Sequence, residues 1–253
     1  MPPDPLQALQ AAHRAPFPPA APAAAAFGTL LIAGATGALG QELLRRLAGS
    51  HRHAHVRVLA REAIRDGLRG VETLLGPALP IAQWPPAPAG TAIVAFDPPR
   101  LYHDRERALW VPEPADLPAL ARWLHGCGVR TLAIVQPHDQ GRLPEALKRG
   151  LASLDEQAVV ACGFDRVIIV RSARKPAKLK SASRPERLAA WMLSVVRFMV
   201  PASEQPVRAS KVAELVDIAL RIAPEGVHVA PPELVWQAAQ GEMQAVAERW
   251  LRG

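Results

Sequence analysis

The chain has 253 residues, 49% of them hydrophobic, and a formal net charge of +7. That length and apolar content suit one sizeable core, and two cysteines exclude a disulfide framework and point to a reducing compartment. With no apolar run near the roughly 18 residues that would span a bilayer, and with Asp4 where a secretory leader carries a basic flank, the chain reads as soluble and cytoplasmic.

Residues 1–27 contain seven prolines and ten alanines and build no core of their own. They read as a flexible arm, with Asp4 and Pro5 starting one short helix, and residues 28–253 as a single domain. Thr29 to Ala33 is a short apolar run, and Gly34, Gly37 and Gly40 follow at three-residue spacing. Leu39, Leu43, Leu44 and Leu47 then repeat with helical period. Strand, glycine turn and helix in that order aim backbone N–H groups at an anion, and a pyrophosphate is the natural occupant.

Val56 to Ala60 reads as a second strand ending at Arg61, followed by a helix of about two turns. Val71 to Leu75 is a weaker strand, and Ala92 to Phe96 a fourth that is apolar on both faces. Pro98 to Pro114 reads as irregular. Asp116 then caps a helix facing inward through Leu117, Leu120 and Leu124, with Gly126 and Gly128 stopping it. Val129 to Val135 and Phe164 to Val170 are further strands, with a long helix inside Pro144 to Ala161. A helix marked by Leu188, Trp191, Val195 and Met199, another over Ser210 to Ile222, a last strand at Val227 to Ala230 and two helical turns complete the chain. This alternation predicts an α/β fold: a doubly wound, mostly parallel sheet with helices on both faces. Ligands of such sheets bind beyond the carboxyl ends of the strands. Gly34, Thr36, Gly37, Ala38, Leu39, Gly40, Arg61, Phe96, Arg100 and Gln136 fall on that rim and are the candidate cofactor-binding residues.

The residue that ends the second strand meets the adenosine ribose, where an acid suits the free hydroxyls of NAD and an arginine suits a 2′-phosphate. Arg61 stands there, with Arg57 and Arg65 nearby, so the cofactor read from the sequence is NADP(H). Between Arg171 and Arg187 seven cations face only Glu186, a local net charge of +6. Such a run reads either as a solvated loop or as a seat for an anionic small molecule. It lacks the interleaved aromatics of a nucleic-acid platform, so nucleic acid is not expected. His51, His53 and His55 alternate, yet on the rim opposite the glycine turn, and no metal site is expected there.

Gly34-Ala-Thr-Gly37-Ala-Leu-Gly40 with Arg61 after the second strand resembles the atypical or extended short-chain dehydrogenase/reductase superfamily. Within it the chain is most similar to the small cytosolic NAD(P)-binding group related to a human tumour-suppressor oxidoreductase and to bacterial sugar-nucleotide epimerase-like proteins. The stretches Val129 to Val135, Phe164 to Arg171 and Val207 to Ala213 stand in the expected order, and the likeness covers Gly28 to Ala239. The resemblance implies a Rossmann-type fold, a nicotinamide dinucleotide, and catalysis by a Ser or Thr after the fifth strand with a Tyr four residues before a Lys.

The sequence departs from that catalytic pattern. Gln136, Pro137, His138 and Asp139 follow the fifth strand without a hydroxyl, and the sole tyrosine, Tyr102, lies too early in the chain. Lys148 stands either at the lysine position, with Pro144 for the tyrosine, or at the tyrosine position, with Ala152 for the lysine. The loop Phe96-Asp-Pro-Pro-Arg100 replaces a small glycine-containing turn and loses two N–H donors to proline. Two readings remain open: a weak or non-catalytic dinucleotide-binding or sensor protein, monomeric or homodimeric, and an NADP-dependent oxidoreductase or epimerase-like enzyme. In the second, His138 and Lys148 are the candidate catalytic residues, with His138 as replacement proton donor.

Overall fold

The computed structural model of the protein describes residues 28–64, 70–97, 99, 104–136, 157–172 and 207–252. Its centre is a seven-stranded sheet, and every strand pairing in it is parallel. In chain order the strands are β1 (Thr29–Ala33), β2 (His55–Ala60), β3 (Val71–Leu75), β4 (Thr91–Ala95), β5 (Thr131–Gln136), β6 (Arg166–Arg171) and β7 (Gly226–Ala230). Their spatial order is β3-β2-β1-β4-β5-β6-β7, so the winding reverses between β1 and β4. That reversal opens a crevice at the carboxyl ends of these two strands.

The central strands β1, β4, β5 and β6 are buried runs because helices cover both faces, whereas the edge strands β3 and β7 are largely exposed. On one face lie α1 (Gly37–Gly49), α4 (Ala209–Ile222), α5 (Pro232–Gln240) and α6 (Met243–Arg252). Leu39, Leu43, Leu44 and Leu47 of α1 pack there with Val212, Leu215 and Val216 of α4 over Leu30, Ile32, Ile93 and Val135. The other face carries α3 (Leu117–Gly126), whose Leu117, Leu120 and Leu124 cover Leu31, Val94, Leu132 and Ile134. Trp84 joins that face, edge-on to Trp110 and Trp123 at centroid distances of 5.4 and 5.3 Å. The indole N–H groups of Trp84 and Trp123 donate to the carbonyls of Leu79 and Pro85, so neither is buried unpaired.

The observed elements adjust several expectations. β5 and β6 begin two residues later than the apolar runs suggest. The Val129 amide is bound to Leu124 O, which closes α3, and Phe164 packs edge-on against His125 instead of joining the ladder. Asp116 does not cap α3: its carboxylate turns back to accept the Glu113 amide at 3.1 Å, closing a short 3₁₀ turn at Pro114–Asp116. The stretch expected to be irregular holds a helical turn, α2 (Asp104–Arg107), and an antiparallel bridge from Leu109 to Ala60. The last two helical turns are two full helices, α5 and α6, because Trp250 anchors its N–H on Val229 O while Val235, Ala238, Met243, Ala247 and Leu251 are buried. Residues 61–64 are not helical. The N-terminal arm, most of the helix expected within Pro144 to Ala161, and the basic segment beyond Ser172 lie outside the described residues.

A buried acid fastens α1 to α4. Asp217 is 8% exposed, takes Arg46 Nε at 3.3 Å through one oxygen and pairs with Arg52 Nη2 through the other. Both arginines keep contact with water, so removing the acid strands two cations that can be partly rehydrated. Asp217→Ala is expected to lower the unfolding free energy by about 1.5–3 kcal/mol, read by denaturant titration.

Candidate functional site

β1 ends at Ala33 and α1 begins at Gly37, so the chain must reverse within three residues beneath the end of β4. Gly34 has φ +80°, and a Cβ there would lie 1.9 Å from Ala95 O. No side chain can replace that hydrogen without moving β1 away from β4. A Cβ on Gly40 would lie 2.3 Å from Gly34 O, so the third glycine seats α1 against the turn. Gly37, φ +64°, is different: its missing Cβ leaves space that a carboxylate of another loop enters, 2.2 Å from where the Cβ would be.

That carboxylate belongs to Asp97, two residues beyond β4. Its Oδ2 accepts the Leu39 N–H at 2.8 Å, and its carbonyl accepts the Thr36 hydroxyl. A second acid arrives from α2, where Glu106 Oε2 accepts the Gly37 N–H at 2.9 Å. Glu106 is 2% exposed and Thr36 fully buried. First-turn amides of a helix have no partners within it, and the helix dipole favours negative charge beside them. Two of those amides of α1 are therefore paired with the chain's own carboxylates.

The same segment continues over the end of β2. Ala108 O accepts the amides of Arg61 at 2.7 Å and Glu62 at 3.3 Å, and the Trp110 amide donates to Leu59 O at 3.0 Å. Leu109, 4% exposed, joins the core on the α1 face. Residues 104–110 thus bridge the turn after β1 and the end of β2.

The sequence-derived candidates fall as follows. Gly34, Thr36, Gly37, Leu39 and Gly40 line the turn, and Ala38 faces solvent beside it. Arg61 is exposed just beyond β2. Its neighbour Arg57 is committed to Glu72, with Nε donating to Oε2 at 3.1 Å, and this hydrogen bond holds the Glu72 carboxyl below its ordinary range. Phe96 packs against the core on the α3 face, and its amide donates to Val135 O at 3.1 Å. Gln136 is the last residue of β5, aligned with Arg171, and its carbonyl accepts the Ser172 amide at 2.8 Å. Arg100, His138 and Lys148 lie outside the described residues. Among the described residues no group of three or more His, Cys, Asp or Glu is arranged to hold a metal. Burial pushes the Cys127 and Cys162 thiols above their usual range.

Sequence reasoning missed Asp97 and Glu106 as partners of the turn. Asp97 had a signal, since an acid directly after β4 must sit at the crevice. Glu106 had none, because nothing in His103-Asp-Arg-Glu-Arg distinguishes a buried acid from a solvated one.

No family model matches the chain, and no curated protein does. Among solved structures, the triphenylmethane reductase of Citrobacter sp. superposes with a TM-score of 0.51 at 16% identity, covering 80% of this chain and 68% of that one. A second structure of that reductase, complexed with NADP(H), gives a TM-score of 0.50 at 16% identity over 79% and 68% of the two chains. The enzyme WbmH of Bordetella bronchiseptica, in complex with NAD+, aligns at 13% identity and a TM-score of 0.44 over 86% and 82%. The likeness to the reductase establishes a Rossmann-type fold for this chain. Among the described residues, no helix is long and apolar enough to cross a membrane.

The turn itself gives a sharp stability test. Gly34→Ala is expected to cost about 3 kcal/mol or more, since the new methyl collides with backbone. Gly126→Ala, with nothing within 4 Å of the added Cβ, should range from neutral to about 1 kcal/mol more stable. Paired denaturation curves of the two variants check both.

Proposed function

We propose that the chain is a nicotinamide-dinucleotide-binding protein of the short-chain dehydrogenase/reductase type, weak or without turnover, that works as a sensor or interaction module. The observation that carries this reading is the turn at the head of α1. Its amides already hold carboxylate oxygens at 2.8 and 2.9 Å, so the seat is receptive to anions at the position where such folds take a pyrophosphate. Its donor set therefore matches the diphosphate of a dinucleotide in kind. In the conformation described, however, Asp97 and Glu106 hold those donors.

NADP(H) is the preferred form in this reading. Arg57 is engaged by Glu72, which leaves Arg61 at the end of β2 as the described cation placed for a 2′-phosphate. The Citrobacter reductase of like fold is complexed with NADP(H), in keeping with that preference. The reading of weak or absent turnover is supported by the sequence: no hydroxyl comes directly after β5, and no Tyr stands four residues before a Lys. A bound dinucleotide would bring hydride chemistry. The residues of this chain supply position and charge, and none of those described offers a proton donor of the family's kind.

Calorimetric titration with NADPH and NADH tests the reading. NADPH should bind more tightly, and Arg61→Ala should remove the preference, a loss of about tenfold in NADPH affinity. Saturable binding of neither nucleotide, or steady NADPH oxidation with a carbonyl substrate, would overturn it.

A further inference from the structure

We propose that Asp97 together with residues 104–110 is an intramolecular occupant of the dinucleotide crevice, and that a dinucleotide binds only when these groups move aside. The inference rests on the dinucleotide reading above and concerns how that same site is regulated.

Three contacts made by Asp97, Glu106 and residues 108–109 reproduce what a dinucleotide would need. Asp97 places its carboxylate on the Leu39 amide, in the space that the missing Cβ of Gly37 leaves open. In a dinucleotide-binding turn that space lets a diphosphate approach the backbone. Glu106 places a second carboxylate on the Gly37 amide, with 2% exposure. A charge so buried persists only where fixed donors and dipoles replace its water. Beyond the turn, the Ala108 carbonyl takes the Arg61 and Glu62 amides, and Leu109 fills the gap between the ends of β1 and β2. An adenosine ribose would rest at that end of β2.

The two occupants exclude each other on steric and electrostatic grounds. The Gly37 and Leu39 amides cannot serve a carboxylate and a phosphate oxygen together. A diphosphate entering beside two retained carboxylates would also meet like charge at hydrogen-bond range. Apparent affinity is then the intrinsic affinity scaled by the fraction of molecules in which the segment is displaced. Anything that favours displacement, such as a partner that grips residues 104–110, raises that fraction without touching the nucleotide.

Amide exchange and binding together decide the matter. First-turn amides of an ordinary helix exchange freely because nothing in the helix accepts them. In the unliganded wild-type protein, the Gly37 and Leu39 amides should instead be protected, along with those of Arg61 and Trp110. Glu106→Gln with Asp97→Asn keeps shape and removes both charges. It should speed exchange at Gly37 and Leu39 and tighten NADPH binding by about tenfold or more. Asp97→Asn alone, at a half-buried position, should show the same direction and serves if the double variant folds poorly by circular dichroism. Free exchange of Gly37 and Leu39 in the wild type overturns the proposal, as does a variant that binds NADPH no better than a binding wild type. Protection that is present in the wild type and lost in the variant, with neither binding NADPH, overturns the dinucleotide reading instead and leaves the occupied crevice standing.

Discussion

The structure depends on how the first-turn amides of α1 are paired. β1 delivers the chain into a turn so tight that Gly34 lies in contact with the backbone of β4, and α1 starts there with donors that its own backbone cannot satisfy. Those donors face the crevice between β1 and β4, where water is scarce, and a buried N–H left without an acceptor costs free energy comparable to a lost hydrogen bond. Something must supply oxygen there. In this chain Asp97 and Glu106 supply it, and the placement of residues 104–110 follows from that demand.

Placing a carboxylate at 2% exposure is unfavourable unless the environment compensates. Compensation comes from the bond to the Gly37 amide and from the positive end of the α1 dipole. The arrangement also draws α2 down onto the sheet. Once Glu106 is fixed, Ala108, Leu109 and Trp110 fall beside Leu59, Ala60 and Arg61, and the end of β2 gains an antiparallel bridge at Ala60. Trp110 then meets Trp84, so the crevice contact is tied to the core under the opposite face of the sheet.

Much of this architecture was legible in the sequence, and what escaped did so for physical reasons. The central strands declared themselves because burial on both faces makes them uniformly apolar, as in Leu30 to Ala33 and Ala92 to Ala95. The glycine turn declared itself because only glycine tolerates those approaches. Strand starts at β5 and β6 were misplaced because Val129 and Phe164 are buried as connectors, and burial alone does not tell a connector from a strand. Asp116 looked like a forward cap, since composition cannot say which way a carboxylate turns. Glu106 was the deepest gap, because its burial depends on a partner 69 residues away that no local pattern announces. His138, Lys148 and Arg100 fall outside the described residues, and their roles rest on sequence.

The choice of acids, and not of neutral acceptors, carries the last consequence. Any carbonyl or amide oxygen could have satisfied the two amides, and a backbone turn rich in glycine would have left them available to a ligand. Asp97 followed by two prolines does the opposite: it adds an acceptor with charge and removes N–H donors that a diphosphate would use. The favourable interaction at the α1 N-terminus is therefore already realised in the free protein, as stability of the fold. A ligand entering the crevice gains only the difference between its own bonds and those it displaces, plus whatever Arg61 contributes. On the sensor reading proposed above, a small difference between two well-paired states is the property that lets nucleotide binding shift the conformation.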